Sequence, residues 1–187
     1  MPTTYKVLGQ AASSASSLSV TNKALTSNVA TLTLSASHSI GVGQQVSVAM
    51  DTADSAFDGV RTVTAVTSTT LSFASVASDV TSAAATGTLT AFEHTTLYTC
   101  PAATAAVTST LTICNRSNTA AYYTIAISDS NSGEPATSKY IVRNDVLTGF
   151  ETVGLTLGLT LDATNKYVRV SASNANLTFA LFGSEIS

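Results

Sequence analysis

Residues 150–161 read FETVGLTLGLTL, and in this stretch apolar side chains alternate with threonine and glycine. The apolar set is Val153, Leu155, Leu157, Leu159 and Leu161, and the other set is Thr152, Gly154, Thr156, Gly158 and Thr160. Successive side chains of a β-strand point to opposite faces, so this pattern predicts one long strand. The leucine face is expected to point into a core, and the threonine face is expected to be exposed.

The composition extends this prediction to the whole chain. Serine and threonine make up 58 of the 187 residues, and only 10% of the residues are charged. Ordinary soluble domains have roughly 25% charged residues. A hydrophobic content of 44% with a net charge of −3 favours a folded chain over a disordered one. Because threonine, valine and aromatic residues favour strands, we expect an all-β protein with hydroxyl-covered outer faces.

The part of the chain from residue 93 onward predicts an antiparallel β-sandwich of about eight strands, of jelly-roll or immunoglobulin-like type. Seven predicted strands follow residue 93, and an eighth, TYKVLGQ, lies near the N-terminus. The seven are TTLYTC, VTSTLTICN, AYYTIAIS, SKYIVR, FETVGLTLGLTL, KYVRVSA and NLTFALFG. In AYYTIAIS, Tyr123 shares a face with Ile125 and Ile127, so Tyr122 is expected on the opposite, exposed face.

Residues 29–92 contain five shorter alternating segments separated by turn-like sequence, which predicts a small five-stranded barrel-like module. Residues 13–28, AASSASSLSVTNKALTSN from position 11, are small and polar and are expected to form a linker. The predicted organisation is a sandwich made of residues 1–12 and 93–187, with the module inserted after its first strand. An exposed loop is the place where such an insertion is best tolerated.

The segments YKVLGQ, TTLYTCPAATAAVTSTLTICNRS and LTLGLTLDATNKYVRVSASNANLTFALFGSEI resemble a family of small β-rich virion proteins of tailed phages, especially phages of cyanobacteria. In that family the strand matched by KVLGQ lies close in sequence to the strand matched by LYTCPA, whereas residues 13–92 intervene here. The resemblance implies a virion component. The intervening segment is similar to small β modules inserted in phage structural proteins.

Few residues are candidates for chemistry. Asp51, Asp54 and Asp58 could hold a hard cation through their oxygens, but their spacing is not that of a calcium loop, and a solvated acidic turn is the expected alternative. His38 and His94 each lack a second histidine at ligand spacing and are expected at the surface or in turns. Cys100 and Cys114 could meet if they lie on adjacent strands, although two free thiols are expected.

These observations predict a protein that is not an enzyme and needs no cofactor. A nucleophilic hydroxyl needs a base and an orienting group, and no such motif is present in the sequence. The scattered lysines and arginines do not predict nucleic-acid binding, and no apolar run is long enough to cross a membrane. The N-terminal residues lack a signal-peptide pattern, so assembly in the host bacterial cytoplasm is expected.

The expected function is therefore that of a multi-copy virion subunit. It would decorate or cement the capsid, or help build the tail, collar or fibre base. Its partners would be other virion proteins and copies of itself, and a trimer is the expected oligomer. The alternative is a glycan- or receptor-binding tail-tip protein. For that role Tyr122 is the candidate glycan contact, because sugar sites use exposed aromatic rings and the chain has no tryptophan.

Overall fold

The computed structural model describes residues 3–186. Within that range the chain forms two compact units, one made of residues up to Ser14 together with those from Glu93 onward, the other of Ala15–Phe92. Apart from the short 3₁₀ helix Thr137–Lys139, the regular structure of the described residues is β-strand. The prediction of an all-β sandwich with a barrel-like module is confirmed. In this part of the chain no helix is long and apolar enough to span a membrane.

The first unit is a sandwich of two antiparallel sheets. The first sheet has the order β1 (Thr3–Ala12), β15 (Leu177–Ile186), β9 (Ala105–Asn115) and β12 (Thr152–Thr156), and the short strand β13 (Thr160–Leu161) also pairs with β9. The second sheet has the order β11 (Tyr140–Leu147), β10 (Ala121–Ser128), β14 (Tyr167–Ala172) and β8 (Thr95–Thr99). The described residues thus contain nine sandwich strands where about eight were expected.

Alternate side chains of both sheets fill the sandwich core. Leu111 and Ile113 of β9 and Phe179 and Leu181 of β15 pack in one cluster with residues of the second sheet such as Ile125. Gly9 in the KVLGQ segment allows a close approach between the sheets, because a Cβ atom at this position would lie 1.9 Å from the carbonyl oxygen of Leu97. The edge strand β1 therefore lies directly against β8.

The stretch FETVGLTLGLTL forms two strands, not the single strand that was predicted. Its alternation holds, since Leu155 and Leu157 pack against the core while Thr156 is exposed. The regular strand conformation is interrupted at Gly158, which has a φ of 59°. Beside this break the Leu159 N–H donates to the Thr108 hydroxyl, 3.0 Å away, in place of a regular ladder bond. A pattern of period two cannot reveal a glycine that adopts a left-handed conformation.

The second unit is a closed barrel with the strand order β2 (Ser14–Thr26), β3 (Val29–Leu34), β6 (Thr70–Ala74), β5 (Gly59–Val66), β4 (Gln45–Met50) and β7 (Val80–Glu93). The linker predicted over residues 13–28 is wrong, because most of it is the strand β2. Val20 and Leu25 of β2 are fully buried in the barrel core. Val20 has an even number and Leu25 an odd one, yet both point inward, because the pairing register shifts between Val20 and Asn22. This shift hides the alternation of apolar residues in the sequence.

The end of that predicted linker is a tight hairpin turn between β2 and β3. Ser27 and Asn28 have φ values of 52° and 64°, as the two central residues of a type I′ turn require. The Asp79 carboxylate accepts a hydrogen bond from the Ser27 N–H at 2.9 Å. The barrel therefore closes with six strands in the described residues, one more than predicted.

The chain leaves the sandwich and returns to it at neighbouring points. Ser13 is buried, and its backbone and hydroxyl both bond to Leu177, with distances of 2.8 and 3.1 Å from N–H donor to oxygen. The hydroxyls of Ser14 and Thr95 lie 3.3 Å apart. Since these residues flank the inserted segment, its two ends are fixed beside each other in the sandwich unit.

Candidate functional site

The outer face of the first sandwich sheet carries no charged side chain on its described strands. Its residues are hydroxyl-bearing, amide or apolar, and most are small: Tyr5, Val7, Gln10 and Ala12 of β1, Thr178, Ala180, Phe182 and Ser184 of β15, Thr110, Thr112 and Cys114 of β9, and Thr152, Gly154 and Thr156 of β12. We call this surface the neutral face.

The nearest charges on these strands point the other way. The ammonium of Lys6 lies 2.6 Å from a carboxylate oxygen of Glu185, and the other Glu185 oxygen accepts a hydrogen bond from the Tyr98 hydroxyl at 2.9 Å. Tyr98 belongs to the core cluster between the sheets, so Glu185 is on the inner side. The hydrogen bond from Lys6, followed by that from Tyr98, lowers the pKa of Glu185.

A shallow depression of about 370 Å³ lies within the neutral face. It is lined by β1, β9 and β15, with Ala12, Thr112, Cys114 and Ala180 among its residues. The lining side chains include no carboxylate, histidine, lysine, arginine or tyrosine, which are the usual groups for acid–base work. The neutral face therefore presents hydroxyl, amide and apolar groups and no charge.

A second group of residues lies on the outer side of the second sheet, where the loop 129–139 covers β10 and β14. The imidazole Nε2 of His94 is 3.2 Å from a Glu134 carboxylate oxygen, and only 7% of the His94 side chain is exposed. The Tyr140 hydroxyl donates to the other oxygen of Glu134. Burial, followed by this hydrogen bond, raises the pKa of Tyr140 well above its usual range. The prediction that His94 lies at the surface or in a turn is wrong in respect of its exposure.

Arg169 of β14 ties the same loop to the sheet. Its side chain lies on the outer side of the sheet yet only 3% of the residue is exposed. One guanidinium nitrogen donates to the carbonyl oxygens of Ser132 and Gly133, at 3.3 and 2.8 Å. Burial lowers the pKa of Arg169, although the nearby Glu134 carboxylate opposes that effect.

The geometry of this cluster is that of a loop anchor. His94 Nδ1 and Arg169 Nε are buried and have no hydrogen-bond partner among the described residues. Among the described residues the His94 ring contacts the Glu134 carboxylate and the ring of Tyr140, and no hydroxyl or thiol nucleophile is bonded to it. Among the described residues, no group of three histidine, cysteine or acidic side chains could hold a metal ion.

The acidic loop of the barrel uses its carboxylates to hold its own backbone. The Asp58 carboxylate accepts from the N–H groups of Met50 and Asp54, both at 2.7 Å. The Asp54 carboxylate accepts from Lys23 at 2.6 Å and from the Ala56 N–H at 3.1 Å. The hydrogen bond from Lys23 is the main reason why the pKa of Asp54 is lowered.

Of the three candidate cation ligands, only Asp51 is exposed. Asp54 and Asp58 are half-buried, and their oxygens already accept the hydrogen bonds just described. The structure therefore does not gather the three carboxylates around a common point, and the acidic turn is organised internally rather than solvated throughout.

The tyrosines divide as the alternation predicted. Tyr122 is 39% exposed, while Tyr123 is 2% exposed. Tyr123 donates to the Asp145 carboxylate at 2.8 Å, and Tyr98 and Tyr140 are tied to Glu185 and Glu134. Tyr122 is thus an exposed aromatic ring on the outer side of the second sheet, and the exposed Val146 is paired to it across β10 and β11.

The remaining candidates have structural positions. His38 lies in a loop, where its Nδ1 accepts from the Ile40 N–H at 3.2 Å. Cys100 and Cys114 are both free thiols, the first buried and the second half-buried on the neutral face. Cys100 follows β8 and Cys114 is in β9, and these strands belong to different sheets, so the two residues are not on adjacent strands.

Sequence reasoning missed Arg169, Glu134 and Tyr140 as one cluster. The alternation in KYVRVSA shows that Arg169 faces away from the core, but the loop that covers it lies more than thirty residues earlier in the chain. The position of His94 beside that loop leaves no signal in the sequence.

No protein-family model matches this sequence, and no curated protein matches it. Among solved structures, the chain is similar to the K1 cleaved adhesin domain of Lys-gingipain from Porphyromonas gingivalis W83, with a TM-score of 0.38 and 12% identity, over 100% of this chain and 98% of that chain. It is similar to a chain of infectious bursal disease virus Gt strain, with a TM-score of 0.30 and 8% identity, over 97% and 55% of the two chains. It is also similar to the STIV MCP, with a TM-score of 0.26 and 8% identity, over 99% of this chain and 92% of that chain. TM-scores this low leave function to be argued from the chain's own residues.

Proposed function

We propose that this protein is a non-enzymatic structural subunit of a phage virion, present in many copies and acting through protein–protein contacts. It would sit on the capsid as a decoration or cement subunit, or in the tail, collar or fibre base. Its partners would be other virion proteins and copies of itself, assembled in the host bacterial cytoplasm. The observation that carries the proposal is the neutral face.

A face without charges suits repeated association. The core of a protein–protein interface is depleted in charged residues, and burying a charge is costly unless it is paired. Hydroxyl groups can exchange water for hydrogen bonds on a partner at a smaller desolvation cost. The hydroxyl of Tyr5 on the neutral face lies 2.9 Å from the hydroxyl of Ser109 in β9, and the threonines Thr152 and Thr156 of this face are exposed.

The size of the face is adequate for docking. Four strands at a spacing of about 4.8 Å, with about 3.4 Å per residue along a ten-residue strand such as β1, give an area of roughly 600 Å². One partner in a stable interface contributes about 800 Å². A single contact through this face would therefore be moderate in strength, and many copies on a regular lattice would add to the effective binding.

The test is attachment of the full-length protein to virions that lack it. Thr112→Lys places a charge at the centre of the neutral face, where Thr112 lies between Gly154 and Ala180. The matched control is Thr62→Lys, at an exposed threonine on the outside of the barrel. We expect Thr112→Lys to weaken attachment on the order of tenfold or more, and Thr62→Lys to leave it unchanged. Equal attachment of the two variants would refute the role of the neutral face.

A glycan- or receptor-binding role at a tail tip is the second candidate, and the exposure of Tyr122 is the observation that favours it. In that case the wild-type protein would bind host-cell polysaccharide but not depleted virions, and Tyr122→Ala would abolish the binding. Tyr5→Ala, at a more exposed tyrosine of the neutral face, serves as its control.

A further inference from the structure

The free edge of β12 presents unpaired backbone groups. Among the described residues β12 pairs only with β9. The Asn115 N–H donates to the Glu151 carbonyl at 2.9 Å and the Leu157 N–H donates to the Ser109 carbonyl at 3.0 Å. Odd-numbered residues of this segment thus bond to β9, so the N–H and C=O groups of Thr152, Gly154 and Thr156 point away from the sheet.

The other sandwich edges differ from β12. The edge strand β8 is covered by β1, and its pairing with β14 shifts register between Val168 and Arg169. β11 carries the exposed charges Arg143 and Asp145, and Asn144 between them has a φ of 56°. Its pairing with β10 also shifts register in two places. β1 carries Lys6 and an irregularity between Val7 and Gly9, and it lies against β8. Charges and bulges are the usual means by which edge strands avoid further pairing, and β12 has neither in its described residues.

The sequence of β12 is symmetric about its central glycine. It reads TVGLT, so Thr152 mirrors Thr156 and Val153 mirrors Leu155 around Gly154. We infer that β12 pairs antiparallel with β12 of a second copy of this chain, across a twofold axis at Gly154. Thr152 then lies opposite Thr156 of the second copy and Gly154 lies opposite its own counterpart. These are the residues whose backbone groups point outward, so each such pair exchanges two backbone hydrogen bonds.

The side chains fit this pairing. Val153 and Leu155 are only partly buried against the core, and each would lie beside the other residue of the second copy, which covers it. The threonines form cross-strand pairs, which are favourable in antiparallel sheets. Both copies then contribute to one continuous sheet whose outer side is a neutral face of twice the width. This inference does not depend on the virion role, and a twofold pair differs from the trimer expected from the sequence.

The pairing register can be tested by two double variants that differ only in the sign of the charge at position 156. Thr152→Lys/Thr156→Lys places like charges opposite each other in both symmetric pairs, whereas Thr152→Lys/Thr156→Glu places opposite charges there. Within one chain the two positions are four residues apart on a strand, roughly 13 Å, so they do not pair with each other. Sedimentation equilibrium should show a wild-type dimer. The Lys/Lys variant should dissociate at a concentration on the order of tenfold or more above that of the Lys/Glu variant.

A cysteine at the axis gives a second readout. Residues of a hydrogen-bonded antiparallel pair have Cα atoms about 5.5 Å apart, within the range that a disulfide bridges. A side chain fits at Gly154, since a Cβ atom there would lie 4.0 Å from the methyl group of Thr110, its nearest neighbour among the described residues. In a Cys114→Ser background, Gly154→Cys should form a disulfide-linked dimer on mild oxidation, and Thr62→Cys should not. A monomeric or trimeric wild type, equal dissociation of the two charge variants, or equal cross-linking of the two cysteine variants would overturn the inference.

Discussion

Residues 150–161 provide a graded test of their own packing. Leu161 is 1% exposed in the sandwich core, Leu157 is half-buried against it, and Thr156 is exposed on the neutral face. Replacing a fully buried leucine with alanine costs about 2–5 kcal/mol, because the lost transfer free energy is joined by that of the cavity. At about 0.8 kcal/mol per buried CH₂, the half-buried Leu157 should cost about 1–2 kcal/mol. Thr156→Ala should stay within about 0.5 kcal/mol, as exposed substitutions usually do.

The assay must read the sandwich alone, because two compact units need not unfold together. Hydrogen–deuterium exchange followed at increasing urea, on peptides from residues 93–186, gives the free energy of unfolding of that unit for Leu161→Ala, Leu157→Ala and Thr156→Ala. Peptides from the barrel serve as the internal control and should not change. Equal costs for Leu157→Ala and Thr156→Ala would refute the alternation, and equal costs for Leu157→Ala and Leu161→Ala would refute the half-burial of Leu157.

Three further predictions concern the whole chain. Joining Ser14 to Glu93 by a short glycine linker, without residues 15–92, should leave a cooperative sandwich transition displaced by only about 1 kcal/mol, since the two ends are already adjacent; loss of that transition in urea would refute it. Burial raises the pKa of Tyr123 from 10.0 to about 12, so its stabilising contribution is present below pH 10 and is lost as the pH rises towards 12. Alkaline titration should show a smaller loss for Tyr123→Phe, and an unchanged slope would contradict this. Arg169→Met should speed amide exchange in residues 129–139 at least about tenfold, because it removes charge-assisted bonds to two loop carbonyls; unchanged exchange would exclude the anchor.

Local alternation was enough to predict the sandwich strands. Tyr123, Ile125 and Leu157 point inward as expected, because the period of side-chain direction is a property of each strand by itself. The break at Gly158 could not be predicted, since glycine occurs both in regular strands and at positions with positive φ.

The strand β2 shows the limit of this reasoning. Its residues from Ser14 to Ser19 are small and mostly polar, and small residues have little strand preference. They form a strand because β3 and β7 would otherwise leave two unpaired edges, and β2 pairs with both to close the barrel. This pairing with β3 and β7 is non-local. In the sequence of β2 it leaves only isolated apolar residues, and their alternation changes from even to odd positions at the register shift.

The few charges of this chain are placed where they fix connections, and this placement explains how the neutral face arises. Lys23 and Asp54 tie β2 to the acidic loop, and Lys6 and Glu185 join the ends of β1 and β15. Glu134 of the covering loop contacts His94 beside the second sheet. The Lys23 and Asp54 side chains are only 23% and 24% exposed, and an ion pair shielded in this way is worth more than one at an open surface. A protein with ordinary charge content would need further charges on its sheets for solubility. In this chain threonine, serine and alanine occupy such positions on the first sandwich sheet, and the hydroxyl groups keep the capacity of the sheet to form hydrogen bonds. It lacks the electrostatic repulsion that would keep neighbouring copies apart.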